Sequence, residues 1–520
     1  MPDRHGAVAP ATVAVRDGGL SPEDVLAVAR RGARVELAPE ALAAMARSRA
    51  RVEALASQER PVYGVSTGFG LLANSRIPAP QRSALQHAIL RSHAAGVGPP
   101  VATEVVRAML LLRLRTLAMG YSGVRPELAQ AIAGLLNAGI TPVVPAHGSL
   151  GASGDLAPLA HAGLCLVGEG EAFDPSGRRV TSAEALAAAG LRPLQLEAKE
   201  GVALINGTDG MLGMLLLACA DAGLLFRTAD VAAAMSVEAL LGTDRVFAPE
   251  LHALRAHPGQ VQSAANLHRL LRGSGIVASH LESDHAVQDS YSLRCAPQVA
   301  GAARDTLAFA EEVAGRELAS AVDNPVVLED GRVESNGNFH GAPLGFALDF
   351  LAIAAAEVGA ISERRVDRLL DPQRSAGLPA FLASEPGLNS GLMIAQYTAA
   401  ALVADNRRLA QPASVDSIPT SGMQEDHVSM GWGAALKLRE LLDNLAQVLA
   451  IEVVCAARAV DLRAPLAPAA ATAAVRDLLR ELVPGPGPDR FLAPELEAAA
   501  GLVRSGAIAD RAADAAGDLE

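Results

Sequence analysis

The stretch from Gly148 to Leu159 reads Gly-Ser-Leu-Gly-Ala-Ser-Gly-Asp-Leu-Ala-Pro-Leu, and at its centre Ala152-Ser153-Gly154 holds the atoms of an electrophilic ring made from backbone. Attack of the Gly154 amide nitrogen on the Ala152 carbonyl carbon closes the ring. Two waters leave, one of them carrying off the Ser153 hydroxyl, and an exocyclic methylene remains conjugated to the ring. Gly154 lacks a Cβ and so enters the conformations that bring its nitrogen to a carbonyl two residues back. Asp155 and Pro158 read as a helix start, whose positive end favours negative charge developing on the ring. Taken alone, Gly-Ala-Ser-Gly-Asp is an ordinary turn with an N-cap.

An electrophile of this kind suits removal of ammonia from an α-amino acid. That reaction needs a strong base for a weakly acidic β-proton and an amine turned into a better leaving group. The whole stretch resembles the motif of the aromatic amino acid ammonia-lyases, in which Ala-Ser-Gly becomes 4-methylidene-imidazol-5-one (MIO). Further motifs follow in the family's order: Tyr63-Gly64-Val65-Ser66-Thr67-Gly68-Phe69-Gly70, Gly120 to Arg125, Asp323-Asn324-Pro325 and Gly387 to Gly391. Ser66 and Met423 stand where many relatives carry Asn, and neither position has a chemical role.

The resemblance implies roles residue by residue. Tyr63 matches the catalytic tyrosine; a phenol titrates at about 10 in water, so it serves as a base only where its surroundings lower that value. In Gln288-Asp289-Ser290-Tyr291-Ser292-Leu293-Arg294, Gln288 and Tyr291 resemble polar contacts to substrate and ring. Arg294 offers a bidentate fork for the substrate carboxylate; a surface ion pair is the plainer reading. Asn206 matches the asparagine bonded near the MIO carbonyl, and Phe339 an aromatic wall of the pocket; on their own they read as a turn and a core residue. Ser92-His93 resembles the histidine-specific branch, where phenylalanine- and tyrosine-specific relatives carry Phe-Leu and His-Leu. Glu425 places a carboxylate where phenyl-specific relatives tend to carry an amide, which suits an imidazole and is costly beside a phenyl ring.

The resemblance therefore implies deamination of L-histidine to trans-urocanate and ammonia. The catalytic set is Tyr63, Ala152, Ser153, Gly154, Tyr291 and Glu425; the substrate-binding set is His93, Asn206, Gln288, Arg294 and Phe339. It further implies a cytoplasmic homotetramer whose active sites are shared between chains, with MIO and no external cofactor. A tyrosine or phenylalanine lyase, or a 2,3-aminomutase, is the alternative within the family, and a non-catalytic helical scaffold the alternative outside it.

The elements that must position these residues are helices. Half of the 520 residues are hydrophobic but only 3% are aromatic, with Ala and Leu dominant, which predicts a mainly α fold. The resemblance narrows this to a long-helix bundle with a smaller, loop-rich N-terminal region carrying the MIO site. The expected division is 1–206 and 207–520, the second as one continuous unit. Ser21-Pro22-Glu23-Asp24 is a capping box with Pro at N1, and Pro39 opens a helix to about Gln58. Long helices are expected at 207–242, 298–318, 342–371, 388–411 and 425–462. In the last, Leu438, Leu442, Leu445 and Leu449 repeat at bundle spacing. The tail from Ser505 is expected to fray.

Composition also excludes. Lys and Arg number 44 against 57 Asp and Glu, a net charge of −13 that argues against nucleic acid or an anionic membrane surface as partner. The N-terminus lacks the apolar core of a secretory signal. The apolar run Gly210–Ala220, bounded by Asp209 and Asp221, falls short of the roughly 20 residues of a membrane span. Four dispersed cysteines, Cys165, Cys219, Cys295 and Cys455, read as buried thiols of a reducing compartment. The only lysines, Lys199 and Lys437, sit in an acidic turn and an amphipathic run, which speaks against pyridoxal chemistry. His280-Leu281-Glu282-Ser283-Asp284-His285 lacks HExxH spacing and reads as a solvated loop, so no metal site is expected.

Overall fold

Ser21 Oγ accepts from the Asp24 amide at 3.1 Å while Asp24 Oδ2 accepts from the Ser21 amide at 2.9 Å. The helix Pro22–Arg31 thus begins in the expected capping box and stops at Gly32, whose φ of 67° only glycine adopts cheaply. Pro39 opens the helix Pro39–Ala56. The computed structural model describes residues 12–56, 67, 77–282 and 287–520. Tyr63 lies outside them, as do Ser66, Asp284 and His285.

The chain divides into two compact units. The first comprises Met1–Leu217, Glu311–Leu348 and Ala413–Leu436; the second comprises Ala218–Ala310, Asp349–Pro412 and Lys437–Glu520. The fold is mainly α, and the sheets among the described residues are small: a parallel pair Thr12–Val15 with Arg34–Leu37, a three-stranded antiparallel sheet, and two antiparallel pairs.

In the first unit the helix Thr103–Ala118 is buried from Val105 to its end. A helix buried over that length must satisfy its polar side chains there inside the protein. Arg107 donates to the carbonyls of Val28 and Leu136 at 3.0 and 3.2 Å, and Arg113 to those of Asn206 and Val322 at 2.9 and 2.7 Å. Arg107 thus caps carbonyls in the last turns of the helices Pro22–Arg31 and Pro126–Asn137, while Arg113 ties down loop backbone. The helix Leu156–Leu166 packs against it and begins where the 148–155 loop ends, and the short helix Glu200–Ile205 packs on Leu156–Leu166 and stops at Asn206.

Long helices occur at Asp209–Ala239, Ala296–Leu318, Ala342–Leu370, Met393–Leu409 and Gly431–Asp461, where the apolar period places them. The last starts at Gly431 and not at 425. Thr420 and Glu425 bridge their backbones, and Met430 takes a φ of 57°, which ends any helical run through it. In the second unit Leu438, Leu442, Leu445 and Leu449 are all buried. Glu452 is buried beside them and accepts from Ser236, Ser362 and Arg365, which spares a costly unpaired charge.

Three expectations need correction. The tail forms the helix Ala507–Ala516 and does not fray, because Ile508, Ala509 and Ala512 present one apolar face that is buried. Cys295 is only half-buried, unlike the other three cysteines. Two spans, Glu200–Ala239 and Ala342–Leu370, are long and apolar enough to cross a membrane despite their isolated charges. Within the protein 78% and 56% of their apolar windows are buried, as in core helices.

Candidate active site

Residues 148–155 form a loop between the strand Pro145–His147 and the helix Leu156–Leu166, in the first unit. Ser153 Oγ donates to Asn206 Oδ1 at 2.9 Å. Gly154 sits at φ 73°, and a Cβ placed on it would lie 2.1 Å from the Gly207 carbonyl oxygen. That carbonyl accepts from the Asp155 amide at 2.7 Å, so the backbone of Asn206-Gly207 lies directly against Ser153-Gly154. On the other flank Ser429 Oγ donates to the Gly151 carbonyl at 3.0 Å and the Met430 amide to that of Leu150 at 2.8 Å. The loop is held on both sides of the ring-forming tripeptide, at Ser153-Gly154-Asp155 by Asn206-Gly207 and at Leu150-Gly151 by Ser429-Met430.

Asn206 is itself fixed. Its Nδ2 donates to the Asn324 carbonyl at 2.7 Å, which leaves Oδ1 for Ser153, and its own carbonyl takes the Arg113 bond. Asp155 corrects the sequence reading in part. It does precede the helix Leu156–Leu166, but its side chain makes no bond to that helix's first turn. The carboxylate instead accepts from the amides of Gly210 and Met211, both at 2.9 Å, at the start of Asp209–Ala239, and from Ser149 Oγ at 3.1 Å. Complete burial pushes its pKa up to about 7 against the pull of these donors. Spacing along the chain gives no sign that one motif's carboxylate caps a helix fifty residues on.

His93 ends the helix Arg82–His93, with Ser92 Oγ 3.0 Å from its Nδ1. Burial lowers its pKa, while a hydrogen bond from the ring to the Ile89 backbone and the charge of Glu425 act the other way. The two residues are therefore within each other's field. Glu425 Oε2 accepts from Thr420 Oγ1 at 2.8 Å and the Glu425 carbonyl from the Thr420 amide at 2.9 Å, which fixes the carboxylate in a loop and not in a helix's first turn. Thr420 and Ser429 escaped sequence reading because a lone hydroxyl residue in a loop carries no periodic signal. Phe339 is half-buried in the turn before Ala342–Leu370, in the same unit.

Gln288, Tyr291 and Arg294 belong to the second unit. Gln288 is exposed, Tyr291 is 71% exposed, and the Arg294 guanidinium stacks on the Tyr291 ring at 4.6 Å. Arg294 Nε is buried without a hydrogen-bond partner among the described residues. Tyr63 falls outside the described residues. Among them no group of three or more His, Cys, Asp or Glu comes together to hold a metal.

Residues 20–481 match the aromatic amino acid lyase family. A relative named histidine ammonia-lyase from Streptomyces avermitilis is 60% identical over 509 residues, 98% of this chain and 99% of its own length. Among solved structures, a tyrosine aminomutase from Streptomyces globisporus superposes with a TM-score of 0.92 at 40% identity, over 98% of this chain and 100% of its own. A histidine ammonia-lyase from Trypanosoma cruzi does so at 0.89 and 39% identity, over 97% and 95%.

Proposed function

The chain belongs to the aromatic amino acid lyase family, and from that premise we propose that it deaminates L-histidine to trans-urocanate and ammonia. Ala152, Ser153 and Gly154 form the MIO group, which supplies an electrophile that makes the substrate amine a better leaving group. The loop fits such a group: the serine that must lose its hydroxyl is oriented by Asn206, and Gly154 occupies a place where no side chain fits. Tyr63 takes the β-proton. Arg294 grips the carboxylate, Gln288 and Tyr291 add polar contacts, and Phe339 walls the pocket.

The observation that carries the choice of substrate is that His93 and Glu425 lie within each other's electrostatic reach. Burial lowers the pKa of His93 and so favours the neutral ring, one nitrogen of which can accept an N–H, while the Glu425 carboxylate, held by Thr420, accepts from an imidazole N–H. A phenyl ring offers neither group a partner and leaves both desolvated. Relatives named histidine ammonia-lyase support the same choice. The reading includes a cytoplasmic homotetramer with shared active sites; the free state of all four cysteines agrees with a reducing compartment.

The likeness to tyrosine aminomutase favours a second reading, in which the ammonia returns to the β-carbon. Product analysis after separate incubation with L-histidine, L-tyrosine and L-phenylalanine separates the two. Urocanate from histidine alone is the expected result. A β-amino acid establishes the mutase, and coumarate or cinnamate overturns the roles given to His93 and Glu425.

A further inference from the structure

Lys199 is one of two lysines in the chain and is wholly buried, not exposed in the acidic turn that its neighbours suggest. Its backbone stands at φ 72°, just before the short helix Glu200–Ile205. A left-handed lysine costs on the order of 1 kcal/mol that a glycine would not, and a buried ammonium costs more. Something at this position uses the side chain.

The hydrogen bonds from Lys199 lead in one direction. Its Nζ lies 2.9 Å from Asp323 Oδ2, and Asp323 Oδ1 accepts from the Asn324 amide at 2.7 Å. The Asn324 carbonyl accepts from Asn206 Nδ2 at 2.7 Å, and Asn206 Oδ1 accepts from Ser153 Oγ at 2.9 Å. Every member except Ser153 is buried, and all lie in the first unit. An amide side chain can present either end to a neighbour. Here the end facing Ser153 is set by which end Asn324 demands. Asn324 is in turn held by Asp323 and by donors from Ser335 and Asn336 to its Oδ1.

We propose that the buried Lys199–Asp323 ion pair is a positioning element for formation of the prosthetic ring. It anchors the Asn324 carbonyl, which fixes Asn206 with its oxygen on the Ser153 hydroxyl. The inference rests on the MIO reading above. In the step it governs, a bond forms between the Gly154 nitrogen and the Ala152 carbonyl carbon. The Ala152 oxygen leaves as water with the amide hydrogens of Ser153 and Gly154, and Ser153 loses its hydroxyl with its Cα hydrogen as a second water. No oxidant is needed. Lys199 touches none of these atoms and acts only through Asn206, whose burial makes the pair's geometry decisive.

The test follows freshly synthesised protein over time by intact mass, scoring loss of two waters in the folded fraction isolated by protease resistance. Lys199→Met removes the ammonium; Lys199→Met with Asp323→Asn removes the pair and leaves no unpartnered buried charge. In folded protein, either variant is expected to lose the two waters roughly ten- to a hundredfold more slowly than wild type. Wild-type kinetics in either folded variant overturn the proposal. If neither folds, the pair serves folding and the proposal is likewise overturned. If the wild type itself never loses two waters, it is the MIO reading that fails.

Discussion

Asp155 shows how far a side chain's surroundings can depart from what its sequence neighbours suggest. Its motif marks it as the start of a helix, and it is one; its carboxylate, however, serves another helix and is fully buried. Because its pKa is raised to about 7, the folded protein holds a proton there that the unfolded chain has already released above about pH 4. The protonated form is favoured by folding, so this contribution is present at low pH and is lost as pH rises through about 7. Comparing urea midpoints at pH 5.5 and 8.5 should therefore show a loss of stability on the alkaline side that Asp155→Asn flattens. An unchanged pH dependence in the variant would contradict the assignment. His93 and Glu425 make a second prediction at this scale. Glu425→Gln keeps the size of the side chain and a partner for Thr420 but removes the charge. It should lower kcat/KM for L-histidine about ten- to a hundredfold, checked by steady-state kinetics, and an unchanged kcat/KM would remove Glu425 from substrate recognition.

Helix starts and stops were legible where local chemistry sets them, as at Ser21, Pro39 and the leucines of the last long helix. Interactions between segments distant in sequence were not. The late start at Gly431, the burial of Lys199 and the docking of the C-terminal helix depend on partners that no window of neighbours contains. The motif loop lies between these cases. Its glycines announced a tight backbone, while the close partner, the Gly207 carbonyl, is visible only in the structure. Gly154→Ala tests that contact: with a positive φ and a 2.1 Å clash against backbone, it should cost about 1–3 kcal/mol and suppress loss of the two waters. Thermal unfolding and intact mass report these separately, and a fully processed, equally stable variant would show that the cradle is looser than described.

For the molecule as a whole, composition foretold helices and an apolar interior, and both are present. The second unit also keeps apolar surface in view. Phe309, Phe350 and Ile353 are 42%, 46% and 48% exposed and line a cavity of about 780 Å³. If the proposed homotetramer forms, such a patch is the surface it would bury between chains. Phe309→Asp should shift the sedimenting species toward smaller assemblies, and activity should fall with it if the sites are shared between chains. A tetramer of unaltered stability would place the interface elsewhere. The central claim concerns the reaction, and it is tested most directly by the absorbance of urocanate when purified protein meets L-histidine, beside the Ser153→Ala variant. Urocanate should accumulate with the wild type and be absent with the variant, whose far-UV spectrum is unchanged. Equal turnover by the two proteins would contradict a lyase that makes its electrophile from Ala152, Ser153 and Gly154.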